Sequence, residues 1–535
     1  MDNRFFLRLV FFCCRWYYRR VKNKEGSSMY IQELAYVANS NGNKINLLPK
    51  MANRHGLITG ATGTGKTVTM KVLAEAFSHM GVPVFLADVK GDVSGLAEPG
   101  ADNEGMQKRI DRFDIRADWK YMGFPVAFWD IFGETGIPVR IKVSDMGPMM
   151  LSRLLGLSEV QTGVLHIVFR VADDNGLELI DLKDLRAMLS YVSDNRSELT
   201  TTYGNVTPQS IGAIQRALLR LEDEGGDIFF GEPSISIRDL MRLDENGRGY
   251  LNILDSTKLI QSPLIYSTFL IWLVSELFER LPEVGDPEKP KAVFFFDEAH
   301  LLFQDAPKAF LDKIVQLVKL IRSKGVGIYF VSQSPADIPN QVLAQLSNRI
   351  QHGLRAYTPT ELKAVKTAAA SFRPNPNLDA EAEILTLGTG EALVSFLDVK
   401  GIPSMVERAN ILPPQSLMAP AQESTRQRIL AGDMLYTEYK EAQDRYSAYE
   451  KLKEEQERAA AQLEKEQQAE QAAKEKAAKA KEKEQAKKKT TAKRKDSATV
   501  KAAKKVARTT TNTVLNTAGR KLGKAIARGL FGNWL

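Results

Sequence analysis

One short stretch constrains this chain more than any other. GATGTGKT occupies positions 60–67, between the apolar triplet LIT at 57–59 and the helix-patterned run VTMKVLAEAFSHM at 68–80. Its glycines let the backbone curl where a side chain would block it. The N–H groups of such a curl converge on one point, and the N-terminus of the following helix adds partial positive charge. That arrangement cradles phosphate oxygens. Gly60, Ala61, Thr62, Gly63, Thr64, Gly65, Lys66, Thr67 and Val68 are therefore the expected nucleotide contacts. Lys66 is expected to reach the β- and γ-phosphates and Thr67 to hold Mg²⁺. The bland reading is a glycine-rich turn, but the strand–loop–helix context weighs against it. ATP and Mg²⁺ are the cofactors this motif implies.

The rest of the chain repeats the strand–helix alternation. Apolar runs at 83–87, 124–132, 137–143, 249–255, 293–296, 327–331 and 392–396 read as strands. The stretches 262–281 and 310–323 read as helices. Alternation of this kind predicts an α/β fold with a parallel sheet. The block at about 148–221 is helix-patterned throughout and reads as an insertion. Beyond Pro413-Pro414 the character changes. Leu435, Tyr439, Ala442, Tyr446, Tyr449 and Leu452 recur in steps of four and three, the spacing of a coiled-coil seam. The expected domains are an N-terminal extension (1–28), the main domain (29–420), a helical, coiled-coil arm (421–485) and a basic disordered tail (486–535) ending in an amphipathic helix.

FFFDEAH at 294–300 is the second informative stretch. A strand buried on both faces of a parallel sheet must be apolar on both sides. Ligands collect where such strands end. Asp297, first past the apolar run, is expected to join the Mg²⁺ shell. Glu298 is expected to polarise the attacking water as general base. The plain alternative is a strand end with two solvated acids. His300 is expected to pack at the strand–helix turn, and Asp88, at another strand end, to support Mg²⁺ indirectly.

The letters DEAH also name a class of RNA helicases, but the spacing does not fit. In this sequence 231 positions separate Lys66 from Asp297, and the next strand ends on Gln333 where that class has Ser-Ala-Thr. A different order fits: phosphate loop, FLADVKGD, helical insertion, FFFDEAH, a helix ending RSKGVG, then YFVSQSP. It resembles the HerA/FtsK superfamily of ring-forming ATPases, and within it the bacterial HerA-like group, over roughly 29–414. The resemblance implies a RecA-like P-loop core. It implies that Gln333 senses the γ-phosphate and that Arg322 enters a neighbouring subunit's site as an arginine finger. Arg322 also has a plain reading as a helix-terminal cation. Arg140 and Arg349 are weaker candidates for contacts across a subunit boundary. Archaeal HerA begins with a β-barrel, which the thirty or so residues before the loop here are too few to build.

Charge and cysteine content set the remaining bounds. Net charge is +8, but 471–535 holds 19 Lys and Arg against 4 Asp and Glu, a net +15, which leaves about −7 for the rest. The body is acidic and the tail basic. The tail reads as a nucleic-acid tether, as a terminal helix in peripheral contact with an anionic membrane, or as a solubilising segment. Cys13 and Cys14 are adjacent and suit neither a structural disulfide nor a metal cluster, which favours a reducing, cytoplasmic setting. The aromatic stretch 5–18 is too short to span a bilayer. It reads as an interfacial anchor, an extension, or an untranslated stretch upstream of a start at Met29, the last being preferred.

What the resemblance implies for function is an ATP-hydrolysing ring motor, a homo-hexamer, with double-stranded DNA as its polymer. An ATPase that remodels or exports protein, with a protein partner on the C-terminal arm, is the alternative. A non-motor ATP switch is the third reading.

Overall fold

The computed structural model describes residues 30–31, 34–303 and 308–492. They form two compact units, the described residues of 30–141 with 221–443 and those of 142–220 with 444–492.

The first unit is built on one large sheet. Its strands are β1 (Tyr30–Ile31), β2 (Leu34–Ser40), β3 (Asn43–Leu47), β4 (Gly56–Thr59), β5 (Val84–Asp88), β6 (Val126–Asp130), β7 (Ile137–Pro138), β8 (Leu251–Asp255), β9 (Ala292–Phe296), β10 (Val326–Ser332), β11 (Asn348–His352), β12 (Glu391–Ser395) and β13 (Glu407–Ile411). The order β11-β4-β10-β9-β5-β8-β6-β7 is parallel throughout. β4, β5, β6, β9 and β10 are buried at every residue. Their apolar runs, such as AVFFF in β9, follow from burial on both faces.

The sheet is mixed rather than purely parallel. β12, β13 and β2 extend it from β11 by antiparallel pairing, with β1 and β3 attached to β2. The residues before the phosphate loop therefore add a hairpin to the central sheet. Asn41 (φ +48°) and Gly42 (φ +90°) form its two-residue turn. Positive φ at both central positions matches the right-handed twist of paired strands, which is why Asn-Gly recurs in such turns.

The helix Lys66–His79 is fastened to the chain beyond β13. Glu75 is fully buried and accepts from Gln415 N (2.9 Å), Ser416 N (3.0 Å) and Ser416 Oγ (2.5 Å). One turn earlier, Lys71 Nζ donates to the carbonyls of Leu417 (2.8 Å) and Met418 (3.1 Å). Burial pushes the Glu75 carboxyl up to about 7 and the Lys71 ammonium down to about 8.

The second unit is helical, and it begins at Lys142, a little before the expected insertion. Within it the long helix Ala448–Ala492 is anchored at its start. Ser447 Oγ and Tyr449 N both donate to Asp184 (2.6 and 2.9 Å), and Lys183 bridges Asp444 and Glu450. The expected coiled-coil seam does not form. Leu435 and Tyr439 lie on the short helix Met434–Tyr439 and are buried in the first unit, where the Tyr439 ring meets Trp129. Ala442 and Tyr446 are outside any helix, and Tyr449 and Leu452 belong to the next one. The four-and-three stepping thus runs across two separate helices and the break between them, and Ala442, Tyr446 and Tyr449 are exposed. Residues 1–29 and 493–535, which include most of the basic tail and the terminal helix expected from the sequence, lie outside the described residues. Among the described residues no helix is long and apolar enough to cross a membrane.

His55 ties β4 to its surroundings. Its ring is buried, accepts Ile328 N at Nδ1 (3.0 Å) and donates from Nε2 to the Val318 carbonyl (2.8 Å). Burial, helped by Arg322, lowers its pKa to about 4. The folded pKa lies below the unfolded value of about 6.5, so the stabilisation is complete above 6.5 and is lost as pH falls towards 4. The loss should reach about 3 kcal/mol by pH 4. Urea denaturation of wild type and His55→Phe between pH 7 and 4 checks this. The difference between the two should shrink by that amount, and a constant difference would show that His55 is not held neutral.

Candidate active site

The carboxyl ends of β4, β10 and β9 gather the predicted residues. Gly60 to Gly65 follow β4, and the helix begins at Lys66. Gly65, at φ +116°, makes the turn into it; a β-carbon there would be strained. Gly60 is required by close packing, since a β-carbon on it would come within 2.5 Å of His352 Cβ. The Lys66 ammonium is buried and donates to the carbonyls of Gly60 (2.7 Å) and Ala61 (3.1 Å). Burial, then the charge of Lys90, pulls its pKa below the ordinary lysine range. Thr67 and Val68, the next two residues of the helix, are half-buried.

β10 lies between β4 and β9, with Ser332 opposite Thr59 and Phe330 opposite Phe296. Gln333 therefore emerges between the phosphate loop and Asp297. It is exposed, and it borders an open groove of ≈ 490 Å³ with His300, Phe303 and Asp337. Asp337 accepts from Ser332 Oγ (2.7 Å) and Ser334 N (2.8 Å), which fixes the turn that carries Gln333.

Asp297 and Glu298 are both buried. Asp297 Oδ1 accepts the Glu298 N–H (2.9 Å), while Oδ2 has no hydrogen-bond partner among the described residues. Burial, with Glu298 adding to it, pushes the Asp297 carboxyl up to about 6. A buried carboxylate oxygen without a donor suits a hard divalent cation. Mg²⁺ usually takes one or two protein oxygens and fills its shell with water and phosphate. Asp297 and the Thr67 hydroxyl are the candidates to hold it.

Glu298 sits at φ +47°, a left-handed backbone uncommon for a residue with a β-carbon. Its Oε1 takes the Lys90 ammonium at 2.7 Å, and its Oε2 faces His300 Nδ1 at 3.4 Å. Burial alone would raise its carboxyl; the hydrogen bond and charge of Lys90 outweigh that and hold it below the ordinary glutamate range.

Asp88 has a different job from the expected one. Its two oxygens accept the Gly91 and Val93 N–H groups (2.8 and 3.1 Å), so it shapes the turn carrying Lys90. Burial, with Asp92 nearby, pushes it up to about 7. Arg349 is used up on three backbone carbonyls, Leu346, Ser371 and Leu343, and Arg140 donates to the Tyr439 carbonyl. Arg322 is not brought to the site. It precedes β10, at the opposite edge of the sheet from Gln333, and pairs with Asp286 at 3.4 Å. Seven residues of β10 separate the two edges, roughly 20 Å.

Two groups were missed from the sequence. Lys90 lay inside FLADVKGD, which was noted only as a marker. His352, in the unpredicted β11, is fully buried beside the phosphate loop. Its Nδ1 donates to the Glu391 carbonyl (2.9 Å), which fixes the tautomer, and Nε2 accepts from Thr69 Oγ1 (2.8 Å). The Ala61 N–H donates to the Gly353 carbonyl and the Gly390 N–H to the Thr64 carbonyl. The loop is thus held from both ends of the excursion between β11 and β12. A run of IQH after SNR was the available signal, but it is too short to separate strand from helix.

The family model described as "Helicase HerA-like C-terminal" matches residues 33–534. The chain is 23% identical over 365 residues to "DNA double-strand break repair helicase HerA" of Saccharolobus solfataricus, a match covering 66% of this chain and 64% of that protein. It is 23% identical over 370 residues to "Probable helicase MJ1565" of Methanocaldococcus jannaschii, covering 67% and 63%. The chain spans less than two thirds of the length of either relative. Among solved structures, the bacterial conjugative coupling protein TrwBdeltaN70 in its unbound form aligns with a TM-score of 0.48 and 18% identity, over 73% of this chain and 91% of that one.

The prop beneath the loop can be tested directly. His352→Leu fills the same space but strands the Thr69 hydroxyl and the Glu391 carbonyl. Affinity for ATP should fall about tenfold, or about 1.4 kcal/mol, by fluorescence titration of a labelled analogue. Unchanged affinity would reduce His352 to a packing residue.

Proposed function

The chain belongs to the HerA-like helicase C-terminal family, and from that premise we propose that it is an ATP-hydrolysing motor that moves along double-stranded DNA as a ring, most simply a hexamer. The observation that carries the reading is the meeting of Lys66, Asp297, Glu298 and Gln333 at the carboxyl ends of adjacent parallel strands.

In this reading the loop N–H groups and Lys66 bind the β- and γ-phosphates, and the helix N-terminus supports their charge. Thr67 and Asp297 would hold Mg²⁺, which when bound offsets the phosphate charge. Glu298 would accept the proton of the attacking water through Oε2, which is buried and has no hydrogen-bond partner among the described residues. Gln333 stands where it reads the γ-phosphate. Arg322 lies on the far edge of the sheet, so its finger role requires a second copy of the chain. DNA is preferred because the family's named members are helicases; an acidic body makes basic loops and tail the natural contacts for a polyanion.

Two experiments test this. The first is the steady-state ATPase rate with and without double-stranded DNA at two salt concentrations. Wild type should be stimulated several-fold, with stimulation lost at high salt. Lys66→Ala should bind no nucleotide, and Glu298→Gln should bind it but not turn over. A flat response to DNA would turn the search to a protein polymer, and hydrolysis by Glu298→Gln would remove Glu298 as base. The second is mixing Arg322→Ala with Glu298→Gln subunits. Each is expected to be inactive alone and partly active together, because an intact site forms where the two meet. No rescue at any ratio would exclude action in trans.

A further inference from the structure

The stretch FLADVKGD was singled out in the sequence without a role, and its lysine ends on the residue proposed as general base. Resting on that assignment of Glu298, we infer that Lys90 is the positioning residue of the hydrolytic step: its ammonium holds Oε1 and so fixes the orientation of the carboxylate, leaving Oε2 as the oxygen without a donor.

Three observations carry this. The first is contact. Lys90 Nζ lies 2.7 Å from Glu298 Oε1, and the carboxylate is 8% exposed against 40% for the lysine. The lysine reaches inward from an open turn to meet a buried acid, whereas surface pairs usually have two exposed partners. The second is backbone strain. Glu298 sits at φ +47°, and a non-glycine residue there persists only when its surroundings over-determine it. Asp297 Oδ1 holds its N–H and Lys90 holds its side chain. The third is the turn that presents the lysine. Gly91 is at φ +79°, and both oxygens of buried Asp88 are spent on the N–H groups of Gly91 and Val93. A buried acid at the end of β5 thus shapes the loop that delivers Lys90 to the end of β9, the neighbouring strand.

The other charged groups around Glu298 do not offer the same restraint. Lys66 donates to the carbonyls of its own loop. His300 Nδ1 is at 3.4 Å on the opposite oxygen, and Asp297 is an acid. Removing Lys90 therefore leaves Oε1 buried without a donor and frees the carboxylate to rotate.

The test is ATPase kinetics of Lys90→Met and Lys90→Arg in the full chain, with Glu298→Gln and the Lys90→Met/Glu298→Gln pair as references. Lys90→Met should lower kcat ten- to a hundred-fold and change KM for ATP less than about threefold. Lys90→Arg should recover most of the loss, since a guanidinium can also reach the carboxylate. The double variant should, like Glu298→Gln alone, bind ATP without turning it over. Binding of a labelled ATP analogue and the thermal midpoint, both expected to stay near wild type, separate positioning from misfolding. Three results would overturn the inference: a kcat for Lys90→Met equal to or above wild type, a KM that rises as much as kcat falls, or a methionine and an arginine that behave alike. If Glu298→Gln itself still hydrolyses ATP, the assignment of the base has failed instead, and the two failures are distinguishable.

Discussion

Burying the central parallel strands on both faces leaves polar chemistry nowhere to go except their ends. β4, β5, β9 and β10 present no exposed side chain, so every charged group near them is pushed to an edge of the sheet. Because these strands run in the same direction, their carboxyl ends lie together, and the segments that follow them meet without any further device. Lys66, Lys90, Asp297 and Gln333 come from four different strand ends and share one edge. The same rule places Arg322, which precedes its strand, on the other edge. The sheet thus holds Arg322 away from the place where the other four meet.

The phosphate loop is held from outside as well as by its own glycines. His352 and Gly353 come from β11 and Gly390 from the approach to β12, and they bond to Thr69, Ala61 and Thr64 respectively. The helix behind the loop is fastened by Glu75 and Lys71 to the chain at 415–418. Both groups are buried, and leaving either unpaired would cost more than a typical hydrogen bond contributes. The loop is therefore part of a framework that extends across the antiparallel wing, and its geometry is set by residues nearly three hundred positions away.

How much of this was legible in the sequence follows from how local each signal is. The strand–loop–helix setting of the phosphate loop, most of the apolar strands and the place of the two acids after β9 are encoded within a few adjacent residues; the run 137–143 is the exception, a strand only at Ile137–Pro138 and a helix from Val143. β2, β3, β11 and β13 were missed because they carry mixed polarity. SNRIQH looks neither like a buried strand nor like an amphipathic helix. Asn41-Gly42 was the one clear hairpin signal among them and was passed over. Lys90 could not be found at all from periodicity. A lysine after a buried strand is normally a solvated residue, and only the spatial neighbourhood of β5 and β9 shows that it meets Glu298. The coiled-coil seam failed for the opposite reason: spacing that is correct for one helix runs across two separate helices and a break at 440–447.

The strain at Glu298 shows why such a site needs this framework. A left-handed residue is unfavourable by the order of 1 kcal/mol, and a buried carboxylate with one unbonded oxygen adds a desolvation cost. Neither would persist in a mobile loop, where relaxing the backbone would remove both. They persist because β9 is pinned between β10 and β5, because Asp297 holds the amide, and because Lys90 holds the carboxylate from a turn that Asp88 keeps rigid. The unfavourable terms fall on Glu298, the residue proposed as general base. The favourable ones are spread over the apolar strands on either side.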